Sequence, residues 1–297
     1  MTIGIGVLCS SRPKPHTPRP DSLILIADTM GSSDYDSTDE LHKMWLDSEL
    51  GVYAVGAGTL EYCGELFSII QNEFKLLDQE TLPDGHHHRT HGRINSALIK
   101  AFLHLKSQHF QWDIVWSKLG LPIIGNRSPE ELANVQAEWQ KFWIAAQMII
   151  GAFDHEGQGY LYAVGQSPEE NGQPSPKIVQ LREFPGFATI GSGSYNADFW
   201  LKFRGQVLGL NVRQSAYHAY ESKQMAAKAP TVNDSIEIAV IQPDCEVFHL
   251  TMERQEVDGC PVSLPELEAL YEKYGPQKTV PMGFPNPSPS GKRKRTL

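Results

Sequence analysis

The sequence predicts an α+β chain in which packed sheets are sandwiched between helices. Three observations carry that reading. Strand-length apolar runs come first, followed by two or three segments of helical periodicity, further strands, two helices and a last strand. The run Leu23-Ile24-Leu25-Ile26 is apolar without alternation, as expected of a strand covered on both faces. No repeat and no clean internal boundary interrupts the order.

The first strand reads Thr2-Ile3-Gly4-Ile5-Gly6-Val7-Leu8 and runs to about Cys9. Prolines 13, 15, 18 and 20 make residues 10–21 a loop, because each lacks a backbone donor. The second strand is expected at 23–28, ending in Asp28, and a polar loop follows over 31–39. Residues 43–47 and 52–55 read as two strands joined by a turn. Gly56-Ala57-Gly58-Thr59 then leads into a helix over about 60–77, with Thr59 as its N-cap. Leu60, Cys63, Leu66, Phe67, Ile70 and Phe74 mark its apolar face. A second helix over 93–108 carries Ile94, Leu98, Phe102 and Leu105 on one side.

From 110 to 143 the pattern loosens and tryptophans gather at 112, 116, 139 and 143, as core or interface. Ser128-Pro129-Glu130-Glu131 is a helix start with a capping box. Strands are expected at 147–153 and 159–164 around a turn at 154–158, and again at 177–183. Helices follow at 195–208 and 212–229, a strand at 236–241 and a helix at 264–274. Residues 275–297 are rich in Pro, Ser, Gly, Lys and Arg and are expected to be disordered.

Composition bounds the function. A net charge of −9 argues against nucleic acid as a partner, since phosphate binding wants a basic face. No apolar run approaches the ~20 residues of a membrane span, and no secretory signal is read. Cys9, Cys63, Cys245 and Cys260 form no C-x-x-C pair, which fits reduced thiols and a cytoplasmic protein, with two disulfides as the alternative.

The chemistry gathers at the front of the chain. A threonine at the amino terminus combines a hydroxyl nucleophile with an α-amine whose unperturbed pKa is about 7.7–8.0. Thr2 would gain that amine once Met1 is removed, as methionine before a small residue ordinarily is. A lysine near the hydroxyl would stabilise its ionised form, and a carboxylate would orient the lysine; Lys43 and Asp28 fit these roles. Glycine-rich backbone at Gly56-Ala57-Gly58 can approach an oxyanion closely. Composition and periodicity alone do not select this trio.

Several blocks do, taken together. Thr2-Ile3-Gly4-Ile5, Leu25-Ile26-Ala27-Asp28, His42-Lys43-Met44-Trp45, Tyr53-Ala54-Val55-Gly56-Ala57 and Ile190-Gly191-Ser192-Gly193-Ser194 occur in that order. With the strand at 236–241 they resemble the proteasome β-subunit family, including bacterial proteasome-like peptidases that pair with an unfoldase. The resemblance covers the framework from Thr2 to about Ile241. It implies a four-layer αββα sandwich of the N-terminal nucleophile hydrolase type, with residues 1–245 as the hydrolase domain. Insertions would lie near 11–21 and 110–143, and 246–297 would be a C-terminal extension.

The resemblance also implies roles. Thr2 would be the nucleophile of a threonine-type peptidase, Lys43 would lower the pKa of its hydroxyl, and Asp28 would pair with Lys43. Ser192 would hydrogen-bond the amino terminus beside Gly193. Gly56 would line the oxyanion and substrate-strand site, Ser32 would meet substrate backbone, and Ala54 or Tyr53 would shape the specificity pocket. Peptide or protein substrate, a homo-oligomer and an ATP-dependent unfoldase are the implied partners, with no metal or cofactor. The chain departs from the family at Ala229, where many members have an aspartate, and over 226–234, which lacks a Ser-Gly-Gly run. A small-molecule amidase or acylase of the same fold, and a catalytically silent structural ring subunit, are the competing expectations.

Other motifs carry less. His86, His87, His88 and His91 lack a companion carboxylate or cysteine cluster and read as a solvated loop. Lys292-Arg293-Lys294-Arg295 reads as a solvated basic terminus. Gly191-Ser192-Gly193 lacks the G-K-[ST] end of a phosphate loop. Cys9 reads as packed rather than nucleophilic.

Overall fold

Strand β1 (Ile3–Cys9) is built on a strict alternation. Its odd positions, Ile3, Ile5, Val7 and Cys9, face one apolar layer, and Gly4 and Gly6 face the other side. It pairs antiparallel with β2 (Ser22–Ala27) on one edge and β8 (Phe187–Gly191) on the other. The computed structural model describes residues 3–10, 21–28, 43–79, 89–123, 125–154, 156–168, 174–180, 186–228, 232, 235–244, 246–250, 255–257 and 260–276.

Two five-stranded antiparallel sheets result. The first has the order β10-β9-β2-β1-β8, with β9 at Glu237–Ile241 and β10 at Val247–His249. The second runs β3-β4-β5-β6-β7, from β3 (Met44–Asp47) and β4 (Val52–Gly58) to β5 (Ala146–Phe153), β6 (Gly159–Pro168) and β7 (Pro174–Gln180). A separate hairpin pairs β11 (Gln255–Val257) with β12 (Cys260–Val262).

The helices divide between the two outer faces. Helices α1 (Leu60–Gln79) and α2 (His91–His109) cover the second sheet, with Cys63, Leu66, Ile70, Phe74, Leu98 and Phe102 against Ala54, Met148 and Tyr162. Helices α4 (Ser194–Phe203), α5 (Val212–Ala226) and α6 (Leu264–Tyr274) cover the first. A third apolar layer lies between the sheets, where Leu23, Leu25 and Ala239 meet Tyr53, Val55, Ile149 and Leu161. The expected α+β class therefore stands, with two sheets face to face between helices. The β1 glycines let the sheets approach: a Cβ on Gly6 would lie 2.6 Å from Ile149 Cγ2, and one on Gly4 would lie 3.0 Å from Val55 Cγ2.

Several boundaries differ from expectation for identifiable reasons. Gly56-Ala57-Gly58, expected to follow a strand ending at 55 and lead into the helix, completes β4, because β5 pairs alongside it through Ala146. The strand expected at 177–183 is β7 at Pro174–Gln180, and β8 is a strand that the local pattern does not announce. The helix expected over 195–208 stops at Phe203, where Gly205 takes φ 68°. The loosely patterned segment continues α2 as a π-helix, Phe110–Trp116, then forms α3 (Pro129–Lys141), whose Ser128–Glu131 capping box is present. The tryptophans there are mostly not core: Trp112, Trp116 and Trp143 are exposed, while Trp139 packs edge-on to Phe110.

Described residues beyond 245 pack onto the same framework. β10 pairs with β9, and Leu250, Val262 and Leu267 belong to the same apolar layer as β1 and α5. Cys9 and Cys63 are buried thiols, so the packed reading of Cys9 stands. No helix among the described residues is long and apolar enough to cross a membrane. The loop at 11–20, His86 to His88 and the tail from 277 lie outside the described residues.

Candidate functional site

The antiparallel register of β1 and β2 brings Ile3 opposite Asp28. The Asp28 N–H donates to the Ile3 carbonyl at 3.3 Å, and the Ile3 N–H donates to Asp28 Oδ1 at 3.2 Å. Lys43, just ahead of β3 in the other sheet, donates from Nζ to the same Oδ1 at 2.9 Å. This ion pair therefore bridges the two sheets. Both side chains are sealed from solvent, Asp28 at 0% and Lys43 at 1% exposure. Asp28 Oδ2 is buried and has no hydrogen-bond partner among the described residues.

Such a pair is not explained by stability alone. Desolvating two charges costs several kcal/mol per ion, and well-packed apolar side chains often serve as well or better. The site also lies at the first described residue of β1. β1 begins at Ile3, one residue after Thr2, and Ile3 pairs on its other side with Gly191. The Gly191 N–H donates to Gln147 Oε1 at 3.4 Å, so a side chain from β5 reaches across to the end of β8. Gln147 is the one exposed residue of β5 and lies opposite Ala57. A lone polar residue in an otherwise buried strand was the signal that could have found it.

The remaining candidates divide. Ser192 is exposed in the turn after β8, next to Gly193, which precedes α4. A Cβ on Gly193 would lie 2.9 Å from Val232 Cγ2 and 3.3 Å from Ile3 Cδ1, so glycine there lets the turn close over the start of β1. The Gly56 N–H donates to the Lys43 carbonyl at 2.9 Å. That N–H is thus committed to the β3–β4 pairing. Its missing side chain admits the Trp45 ring, 2.7 Å from where a Cβ would stand. Ala54 is fully buried against α1, and Tyr53 is buried between the sheets, so neither lines an open pocket. Thr2, Ser32 and Ala229 lie outside the described residues.

Two further thiol and imidazole groups lie apart from this chemistry. Burial pushes the Cys63 thiol up to about 11, and it donates to the Ala57 carbonyl. Burial, helped by the nearby Arg204 charge, pushes His218 down to about 4. Its Nδ1 lies 3.0 Å from Gln206 Oε1. A cavity of about 270 Å³ between α1 and α2, lined by Glu73, Arg93 and Lys100, holds none of the candidate residues. No group of metal-ligating side chains occurs among the described residues.

No protein-family model and no curated protein matches the sequence. Among solved structures the chain is similar to the Anbu (Gly-1) mutant from Hyphomicrobium sp. strain MC1. The two share 12% identity at a TM-score of 0.55, over 92% of this chain and 94% of that one. The likeness is one of fold, and it spans both sheets and the helices on their outer faces.

Proposed function

We propose that this chain is a proteasome-like amide hydrolase of the N-terminal nucleophile type, with Thr2 as nucleophile after removal of Met1. The observation that carries the reading is the buried Asp28–Lys43 pair, tied through Asp28 Oδ1 to the backbone of Ile3. Thr2 is one peptide bond from that backbone nitrogen. A fixed cation beside the first strand is what a hydroxyl nucleophile requires, because it favours the ionised oxygen. The fold likeness to Anbu, a bacterial proteasome-like protein, supports the same reading, including the αββα sandwich of the N-terminal nucleophile type.

In this mechanism the Thr2 Oγ attacks the amide carbonyl and its proton passes to the α-amine. The C–N bond breaks as the leaving amine takes that proton, which gives an ester on Thr2. Water, deprotonated by the α-amine, then cleaves the ester and regenerates the hydroxyl. Lys43 holds a positive charge beside the oxygen throughout, and Asp28 orients Lys43. Ser192, at the neighbouring turn, is the candidate partner for the amino terminus.

Peptide or protein is the proposed substrate class. The test is electrophile labelling of the intact protein with an amine-and-hydroxyl-directed probe, followed by mapping of the adduct. Modification of Thr2 and loss of Met1 in the intact mass are expected, with Thr2→Ala abolishing both labelling and amide hydrolysis. Retention of Met1 in the active protein, or hydrolysis undiminished in Thr2→Ala, would falsify the assignment.

A further inference from the structure

We propose that Gln147 is a positioning residue of the site: from the second sheet it fixes the end of β8, and so sets where Ser192 stands beside the amino terminus. The role rests on the hydrolase reading above, because Ser192 has a task only if Thr2 is the nucleophile. Gln147 is the second residue of β5 and is exposed, while Ala146 and Met148 on either side of it are buried. In the β4–β5 pairing it lies opposite Ala57, near the end of β4. Its side chain leaves its own sheet, and Oε1 accepts the Gly191 N–H at 3.4 Å. A backbone N–H can only donate, so the carbonyl end of the carboxamide meets β8.

Gly191 is where β8 gives way to the turn. It pairs with Ile3, takes φ 87°, which a side chain would strain, and hands the chain to Ser192, Gly193 and α4. The turn is tied within itself as well, since Thr189 Oγ1 donates to the Ser194 carbonyl at 3.1 Å. Gln147 adds a tie from outside the sheet. Ile3 therefore stands between two polar ties from the second sheet. Lys43 reaches Asp28 on its β2 flank, and Gln147 reaches Gly191 on its β8 flank. Stability does not account for the second tie. Apolar side chains such as Val55, Ile149 and Ile190 hold the layer between the sheets. Ordering a glutamine side chain costs about as much as one hydrogen bond returns. Beside a nucleophile the balance differs, because a displacement of ~1 Å can cost ~100-fold in rate. Hydrogen bonds at such sites are also often long until substrate binds.

The test compares Gln147→Met, which keeps the length but loses the acceptor, with Gln147→Glu, which keeps an acceptor for the Gly191 N–H. The probe is a peptidyl epoxyketone. The readouts are the rate of Thr2 labelling at saturation and the probe concentration that gives half that rate. Gln147→Met should slow the saturated rate at least about tenfold. The half-saturating concentration should stay within about twofold, because Gln147 is assigned no contact with substrate. Gln147→Glu should recover the saturated rate to within about threefold, since its carboxylate accepts the same N–H. With 15N-labelled glycine, amide exchange at Gly191 should speed up in the Met variant and slow again in the Glu variant. An unchanged rate in Gln147→Met, with Thr2 still labelled, overturns this role and leaves the hydrolase reading standing. So does a Glu variant as slow as the Met variant, or a lost rate with Gly191 exchange unchanged. A wild-type chain that is not labelled at Thr2 overturns the hydrolase reading itself, and this role with it.

Discussion

Lys43→Ala leaves the Asp28 carboxylate sealed in the protein without its cation, and a buried pair broken in this way costs about 3–5 kcal/mol. Asp28→Leu combined with Lys43→Met removes both charges and should recover most of that loss in urea denaturation, while Thr2 labelling stays abolished. Recovery of labelling along with stability would show that the pair serves only the fold. His218 gives the second prediction at this scale. Its folded pKa, about 4, lies below the unfolded value of about 6.5. Between those values the unfolded chain binds a proton that the folded chain refuses. Stability is therefore complete above about pH 6.5 and falls as pH drops toward 4, by up to about 3 kcal/mol from this residue. His218→Gln should flatten that part of the pH–stability curve, and an unchanged slope would remove His218 as its source.

Among the elements, α3 is the one whose loss costs least. It buries no residue fully and is held to the rest by Trp139 against Phe110 and by the Lys118–Glu138 ion pair, so the Ser128–Glu131 box carries a large share of its stability. Ser128→Ala should cost that helix about 1 kcal/mol. Hydrogen exchange should speed within residues 129–141, while the global unfolding midpoint barely moves. A large global shift would mean that α3 is held by packing after all. α5 is the contrast. It is buried on nearly all sides and carries Glu221, which receives Arg204 from the end of α4. Its sequence shows no simple amphipathic stripe because the first sheet, α4 and α6 surround it.

At the scale of the whole molecule, stability depends on how closely the two sheets approach. Gly6→Ala places a methyl group 2.6 Å from Ile149 Cγ2 and 3.0 Å from Leu161 Cδ1, so the sheets must shift. The expected cost is about 1–3 kcal/mol. Gly64, within α1, has no neighbouring atom within 4 Å of the place a methyl group would take. Gly64→Ala should therefore stabilise by up to about 1 kcal/mol through helix propensity alone. Thermal unfolding of the pair checks the contrast. If Gly6→Ala were neutral, the glycine face of β1 would not set the spacing.

Elements whose signals are local could be read straight from the residues. Period-3.6 patterns marked α1 and α2, an unbroken apolar run marked β2, and capping chemistry marked the start of α3. Asp28 and Lys43 could be nominated from the order of short blocks. That these two meet is a property of the folded chain, because contact across two sheets depends on register and sheet stacking, which no local run encodes. Folding also committed the Gly56 N–H to Lys43, brought Gln147 to the end of β8 and drew Leu250, Val262 and Leu267 into the main core. Long-range pairing determined each of these outcomes: β3 and β5 flank β4, and β10 finds an edge only after β9 is in place. The alternation of isoleucine and glycine at the start of the chain was plain in the sequence. That its glycine side is where the two sheets close was visible only in the fold, because a missing side chain acquires its meaning from the neighbour that fills the space.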